Sequence, residues 1–216
     1  MKILVFAPHN DDEVLGVGGT INKYAKAGHS VTVCEVTSGP KYKMMQEEAR
    51  RAHEVMGVET SIFLNLPVVK LKTLSPDEIN SRIAKVLGEV QPDIVFIPFI
   101  GDMHLDHREV AESVLVAVRP LENSTVRSVY MYETLSETGW NIPNGERTFI
   151  PDTWIDITSS IDTKIEAMKC YRSQIKAYPN PRSPEGIKAL AMYRGSTVSV
   201  EYAESFMLIR NIIKEI

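Results

Sequence analysis

Short apolar runs alternate along the first half of the chain with segments in which apolar residues recur at helical spacing. The runs predict four buried strands, at residues 4–6, 31–36, 61–64 and 94–97, and helices fill the intervals between them. Strands separated by helices form right-handed βαβ units and a parallel sheet. The pattern therefore predicts an α/β fold: a Rossmann-like, mostly parallel sheet with helices on both faces.

The pattern is less regular in the second half of the chain. Residues 128–132 and 153–157 predict two more strands, and residues 161–175 and 185–193 predict helices, whereas residues 198–206 are compatible with a strand or a loop. We expect this half to add edge strands and loops to the sheet. No internal repeat divides the sequence, so residues 1–216 are predicted to form a single domain.

Composition fits a globular protein and argues against several other classes. The 216 residues are 44% hydrophobic and 24% charged, which is enough to bury a core. A net charge of -4 without a basic tract argues against nucleic acid as the main partner. No apolar stretch reaches the length of a membrane span, and nothing resembles a signal sequence. Cys34 and Cys170 do not suggest a disulfide framework. We therefore expect a cytoplasmic protein.

An acidic turn follows the first predicted strand. It contains His9, Asp11, Asp12 and Glu13, and a helix-like pattern begins directly after it. In an open parallel sheet such turns lie at the carboxyl ends of the strands, where ligands bind, and the N-terminus of the next helix favours carboxylates. An imidazole and a carboxylate three residues apart across a turn can converge on one ion. We therefore regard this turn as half of a metal site.

A second polar turn, His104-Leu105-Asp106-His107, follows the fourth predicted strand and precedes a helix predicted over residues 109–118. Asp106 is close enough in sequence to hold an imidazole and so to fix its tautomer and orientation. Both turns should reach the same edge of the sheet. Together they predict one divalent metal site.

Other features of the sequence carry less information. His29 and His53 do not belong to a cluster like the two polar turns and are interpreted as surface or helix-end residues. The run Gly16-Val17-Gly18-Gly19 resembles a dinucleotide-binding loop only superficially, because it lies after the acidic turn and inside the predicted helix. We interpret these glycines as sites of close helix packing.

The two turns resemble the signatures of the PIG-L or LmbE-like family of zinc-dependent N-acetylglucosamine de-N-acetylases, which are a His-Pro-Asp-Asp-Glu turn and a His-Pro-Asp-His turn. Less specific matches, at Asp102 and at residues 132–134 and 202–206, extend the resemblance over most of the chain. Asn10 and Leu105 replace the common prolines, which removes no ligand or proton-transfer group. The resemblance implies the Rossmann-like fold and an amino-sugar deacetylase.

The resemblance also implies roles for individual residues. The implied metal ligands are His9, Asp12 and His107, and the implied catalytic residues are Asp11, His104 and Asp106. Asp11 would be the general base, while His104, as an imidazolium oriented by Asp106, would stabilise the oxyanion and protonate the amine. The implied cofactor is Zn²⁺, with Fe²⁺ as an alternative, and the implied partner is a small amino-sugar substrate. Homo-oligomers are common in the family, so a homo-oligomer is also an expectation.

One departure from the family concerns the substrate. Met45 occupies the place where relatives often carry an arginine that contacts substrate. Arg194 is our candidate for the substrate-binding residue, and Lys41 or Lys43 could also supply positive charge there.

Three alternative functions remain open at this point. The first is an amidase of a larger sugar-thiol conjugate, because the sequence does not fix the acyl pocket. The second is a non-haem iron oxygenase, whose facial site also has two histidines and a carboxylate, although such enzymes usually use an all-β scaffold. The third is a non-catalytic metal- or sugar-binding module, against which Asp11 and His104 argue, since a binder needs no base.

Overall fold

The computed structural model describes residues 1–121, 124–142 and 144–213. The strands are β1 (Lys2–Ala7), β2 (Ser30–Ser38), β3 (Thr60–Pro67), β4 (Ile94–Pro98), β5 (Ser128–Tyr132), β6 (Thr153–Asp156) and β7 (Ala203–Asn211). The helices are α1 (Asp12–Lys26), α2 (Tyr42–Met56), α3 (Pro76–Val90), α4 (Leu105–Ala117), α5 (Ile161–Cys170) and α6 (Pro184–Ser196), with short 3-10 turns at Leu71–Thr73 and Gly145–Arg147. Among the helices described, none is both long enough and apolar enough to cross a membrane.

The strands form one seven-stranded sheet in the order β3-β2-β1-β4-β5-β7-β6. Strands β1 to β5 pair in parallel, whereas β7 runs antiparallel to both β5 and β6. The predicted α/β fold with a mostly parallel sheet is therefore confirmed. The ambiguous stretch at residues 198–206 leads into β7, whose pairing on both sides gives it a strand conformation.

Helices cover both faces of this sheet. Along β1, Ile3 and Val5 belong to a core with apolar residues of α1, α2 and α5, whereas Leu4 and Phe6 belong to a second core with α3 and α4. Successive side chains of a strand point to opposite faces, so a continuous apolar run serves both cores. This is why the first strand reads as an unbroken apolar segment.

The order of the strands creates a switch point between β1 and β4. From β1 the chain passes outward through β2 to β3, and it then returns to place β4 on the other side of β1. In open α/β sheets the crevice at the carboxyl ends of such strands is where ligands bind. The turns after β1 and β4 flank this crevice.

Glycines in α1 allow the helix to pack closely on its neighbours. A Cβ atom on Gly16 would collide with the ring of Tyr132, and one on Gly19 would lie 2.8 Å from the side chain of Ile157. The Tyr132 hydroxyl donates a hydrogen bond to the carbonyl of Phe6 at 2.9 Å. The interpretation of these glycines as packing positions is confirmed.

An ion pair formed by two residues of the second half of the chain contacts the backbone in the middle of α1. The Glu204 carboxylate accepts the backbone N–H groups of Gly19 and Thr20 at 2.8 and 2.7 Å. Lys164 Nζ donates to Glu204 at 2.6 Å and to the carbonyl of Leu15 at 2.9 Å. Both side chains of the pair are buried, so α5 and β7 hold the helix that begins at the acidic turn.

Candidate metal centre and active site

Both polar turns lie at the carboxyl edge of the sheet, on either side of the switch point. β1 ends at Ala7 and α1 begins at Asp12, whereas β4 ends at Pro98 and α4 begins at Leu105. Because β1 and β4 are neighbouring parallel strands, the turns that follow them face each other across the crevice. The fold thus brings the two sequence clusters into contact.

The three predicted metal ligands, His9, Asp12 and His107, converge on one point. His9 Nδ1 lies 3.3 Å and His107 Nε2 lies 3.1 Å from the same oxygen, Oδ2 of Asp12. Asp12 and His107 are fully buried, and His9 is partly buried. Side chains from two distant parts of the chain therefore present their donor atoms to one site.

A second carboxylate holds the other nitrogen of each imidazole. His107 Nδ1 lies 2.8 Å from Asp102 Oδ2, and His9 Nε2 lies 3.1 Å from Asp106 Oδ2. Asp102 and Asp106 accept from those nitrogens, so in the neutral form that binds a metal each imidazole would direct its lone pair toward Asp12. Ligand histidines of zinc sites are oriented by carboxylates in the same way.

The charges at this point suit a cation. Asp12 Oδ1 and His107 Nε2 are buried without a hydrogen-bond partner, and such groups are costly unless something compensates them. Burial acts to lower the pKa of His107, but the charge of Asp12 and the hydrogen bond to Asp102 outweigh it and raise that pKa well above its usual value. The site therefore favours positive charge, and its donor set fits Zn²⁺ or Fe²⁺.

Asp106 contacts a different imidazole from the one that the sequence predicted. Besides accepting from His9, its Oδ2 accepts the backbone N–H of Val69 at 2.7 Å, and it lies 4.0 Å from His104 Nδ1. That His104 nitrogen instead accepts the backbone N–H of Asp106 at 3.1 Å, because His104 is the N-cap of α4. Asp106 therefore orients His9, one of the predicted metal ligands.

His104 reaches the cavity as a neutral imidazole rather than the expected imidazolium. Burial, followed by the charges of His9 and His107, lowers the pKa of His104 to about 4. Since its Nδ1 accepts a backbone hydrogen bond, the ring proton lies on Nε2, which is a hydrogen-bond donor. The side chain is half-buried and can present this donor to a ligand.

Asp11 is buried and held in an uncommon backbone conformation. Its φ of 127° and ψ of -20° lie outside the regions that residues other than glycine usually adopt. The Asp11 N–H donates to Glu13 Oε2 at 3.2 Å, which supports the turn from behind. Burial raises the pKa of Asp11 to about 8, against the opposing charge of Arg182. A carboxylate with this pKa suits proton transfer near neutral pH.

Arg182 is a site residue that the sequence did not reveal. Its Nε lies 3.0 Å from Asp11 Oδ2, and its Nη2 lies 3.8 Å from Glu137 Oε1. The residue belongs to the proline-containing segment before α6, between the helices predicted at residues 161–175 and 185–193. No local spacing marks it, because its partner lies in the first turn of the fold. Asp102 carried a weak signal, as part of the family match.

A cavity of about 320 Å³ opens above these groups. Besides Gly39, Met45 and Val68, the residues that line it are polar. They are His9, Asn10, Asp11, Thr37, Ser38, His104, Glu137, Gln174 and Arg182. Met45 lies in the lining, so the departure from the family is located at the cavity itself. Arg182 supplies a guanidinium there from a different loop.

Arg194, the predicted substrate-binding residue, is not among the lining residues. Its Nε and Nη2 donate to the two carboxylate oxygens of Glu133 at 2.7 and 2.6 Å. The hydroxyl of Ser205 also donates to Glu133 at 2.7 Å. The guanidinium is therefore engaged in a structural ion pair that links α6 to the sheet, away from the metal ligands.

The sequence interpretation of His53 as a surface or helix-end residue is wrong about its exposure. His53 lies in the last turn of α2 but is only 2% exposed, because α2 packs on the core with this side inward. Its Nε2 lies 3.5 Å from Glu13 and from Glu35, beneath the acidic turn. His29, in contrast, is partly exposed and lies beside the N-terminus.

Comparison with known proteins gives a consistent result. The profile of the PIG-L family, described as GlcNAc-PI de-N-acetylase, matches residues 4–118. The chain is 24% identical to a diacetylchitobiose deacetylase from Thermococcus kodakarensis, over an alignment that covers 100% of this chain and 85% of that protein. The matched segment contains every metal-site residue described above.

Solved structures share the fold. The conserved protein TT1542 from Thermus thermophilus superposes with a TM-score of 0.78 at 26% identity, covering 99% of this chain and 96% of its own. A 4-carboxy-2-hydroxymuconate hydratase from Pseudomonas putida also superposes with a TM-score of 0.78, at 22% identity, covering 100% and 98% of the two chains. The latter likeness shows the fold alone, so the reaction has to be argued from the site.

Proposed function

Because this chain belongs to the PIG-L family, we propose that it is a metal-dependent deacetylase that removes an N-acetyl group from an N-acetylglucosamine-type amino sugar. The observation that carries the proposal is the convergence of two imidazole nitrogens, His9 Nδ1 and His107 Nε2, on the Asp12 carboxylate. Each imidazole is backed by a second carboxylate, as in catalytic zinc sites with three protein ligands. The deacetylase relative supports the same reaction class.

The ligand set for the ion would be His9 Nδ1, His107 Nε2 and Asp12. When bound there, Zn²⁺ supplies a Lewis acid that activates water and polarises an amide carbonyl. Fe²⁺ suits the same donors and is the alternative metal. Asp102 and Asp106 hold the two imidazoles in the tautomers that this role requires.

Asp11 serves as the general base. Its carboxylate lines the cavity, and its pKa of about 8 allows it to take up a proton from an attacking water. The same property lets it return that proton to the nitrogen of the leaving amine. His104, with a pKa near 4, has no second proton to give at neutral pH, so we assign both transfers to Asp11.

His104 stabilises the oxygen of the substrate as charge develops on it. The Nε2–H is held toward the cavity because Nδ1 is fixed by the N-terminus of α4. A preorganised donor of this kind typically contributes about 10²–10³ in rate. A neutral donor also avoids placing a further positive charge beside the metal ion that His9 and His107 would hold.

The cavity limits the size of the substrate. Its volume of about 320 Å³ is at the small end for ligand sites and suits a single sugar ring with a short acyl group. Polar lining from Thr37, Ser38 and Gln174 matches sugar hydroxyls, and Arg182 can pair with an acidic substituent. A larger sugar-thiol conjugate would have to extend out of the opening.

The test is to incubate the purified protein with N-acetylglucosamine and with derivatives that carry neutral or acidic aglycones. We expect equal amounts of free amine and acetate, loss of both after treatment with a chelator, and recovery with Zn²⁺ or Fe²⁺. Release should be the same with and without oxygen, which separates hydrolysis from an oxygenase. Binding of the sugars without release of acetate from any of them would contradict the proposal and favour a binding module.

A further inference from the structure

A second cluster of metal-ligating side chains lies beneath the acidic turn, behind the metal centre already described. It consists of Glu13 from α1, Glu35 from β2 and His53 from α2, which are 0%, 1% and 2% exposed. His53 Nε2 lies 3.5 Å from Glu13 Oε1 and 3.5 Å from Glu35 Oε1. One donor atom from each residue therefore faces the same point.

Two atoms of this cluster are buried without a hydrogen-bond partner. They are His53 Nε2 and Glu35 Oε2. The other imidazole nitrogen, Nδ1, lies 2.7 Å from the hydroxyl of Ser61, which fixes the ring with Nε2 directed at the carboxylates. Buried polar atoms are nearly always paired, so two unpaired atoms at one point indicate that something else belongs there.

Burial, followed by the charge of Glu13, raises the pKa of Glu35 well above its usual value, so the two carboxylates resist being ionised together without a cation. Among the described residues, neither Glu13 nor Glu35 forms an ion pair with a lysine or an arginine. The Tyr171 hydroxyl donates to Glu13 Oε1 at 2.6 Å, which adds a hydrogen bond but no charge. Two carboxylates in a dry site are costly unless a counter-charge accompanies them. A divalent cation would neutralise both and leave the imidazole uncharged.

The spacing of the donor atoms suits a small transition-metal ion. Donors that share a tetrahedral zinc at about 2.0–2.1 Å lie about 3.3–3.4 Å apart, close to the two separations of 3.5 Å seen here. We propose that Glu13, Glu35 and His53 bind a second, structural Zn²⁺ ion through one donor atom each, with Glu35 Oε2 able to bind the same ion if that carboxylate is bidentate. This site shares no ligand with the His9–Asp12–His107 centre, and the proposal does not depend on the deacetylase function.

The second ion would stabilise the turn that carries the general base. It would join α1, β2 and α2, and it would fix Glu13, whose Oε2 accepts the N–H of Asp11 at 3.2 Å. Asp11 keeps its uncommon backbone conformation only while its surroundings hold it there. Because the site is enclosed, the ion would enter as the chain folds, so metal binding and folding are coupled.

The experiment measures zinc per chain by inductively coupled plasma mass spectrometry. Proteins are produced with zinc in the medium and then exchanged into metal-free buffer. The key variant is His107→Ala, which removes a ligand of the catalytic centre, alone and combined with His53→Asn. Asparagine at position 53 can keep the contact with Ser61, so the packing around β3 is disturbed little. It has no atom at the position of Nε2 and therefore removes the metal ligand.

We expect two ions per wild-type chain, one in His107→Ala, one in His53→Asn and none in the double variant. His53→Asn should also unfold at a lower temperature than wild type. Added chelator should lower the unfolding temperature of this variant less than it lowers that of wild type. One ion in wild type together with none in His107→Ala would overturn the proposal. Equal zinc in His107→Ala with and without His53→Asn would overturn it as well, since the retained ion would then lie elsewhere.

Discussion

The guanidinium Nε of Arg182 lies 3.0 Å from Oδ2 of Asp11, so the proposed general base is already paired with a cation. Burial raises the pKa of Asp11, and the charge of Arg182 is the main influence that opposes the rise. This pair therefore controls the pH range in which Asp11 can accept a proton. It also connects the loop before α6 with the turn after β1.

Replacement of Arg182 should change the pH dependence of the reaction. In Arg182→Met the pKa of Asp11 rises, and because Asp11 acts in its ionised form, the acidic limb of the kcat/KM profile should move to higher pH by about one unit. Arg182→Lys keeps the positive charge and should move the limb less. An unchanged limb in Arg182→Met would mean that Asp11 does not set it.

Asp11→Asn should remove turnover without removing the metal. The amide cannot accept the proton, and loss of a general base typically lowers the rate by about 10²–10⁴. Zinc content of the purified variant should equal that of wild type, because Asp11 is not among the proposed ligands. Activity within a factor of a few of wild type would show that another group is the base.

Asp102→Asn and Asp106→Asn should weaken metal binding. Each carboxylate holds the outer nitrogen of a ligand histidine, and loss of such a partner typically lowers affinity by about 10–100-fold. Competition with a chromogenic chelator measures the change. Asp106→Asn is the sharper test, because a role limited to His104 would leave metal affinity as in wild type and alter only kcat.

Glu204→Gln should destabilise the fold. The carboxylate is buried, accepts two N–H groups of α1 and pairs with Lys164. Removing its charge leaves Lys164 buried and unpaired, a change that costs about 3–5 kcal/mol in comparable pairs. Urea unfolding measures the loss. In Glu204→Gln/Lys164→Met the free energy of unfolding should recover in part, whereas additive losses would contradict the pairing.

Much of the fold follows from local pattern. Continuous apolar runs predict strands that are buried on both faces, and the polar turns after β1 and β4 are predicted to share one sheet edge. The convergence of His9, Asp12 and His107 follows from that edge. Periodicity indicates which residues are buried. The strands of the first half are apolar on both faces, as expected for a parallel sheet covered by helices.

The remaining site contacts depend on packing between distant segments. Asp106 is two residues from His104 in sequence, yet its carboxylate contacts His9, because His104 is used as a helix cap. Arg182 reaches Asp11, whereas Arg194, which was favoured from the sequence, is held by Glu133. Sequence spacing states what lies nearby along the chain, but it does not state which side chains face each other across a crevice.

The contacts of Glu204 and Lys164 with α1 connect the second half of the chain to the segment that carries the metal ligands. Every donor of the proposed catalytic metal lies within residues 4–118, which suggests a self-sufficient catalytic half. The helix that starts at Asp12 is nonetheless held by Lys164 and Glu204, which lie outside this segment. A fragment ending before β5 would contain all the ligands but would lack these contacts with α1, so we expect it to bind the metal more weakly than a chain that includes β7.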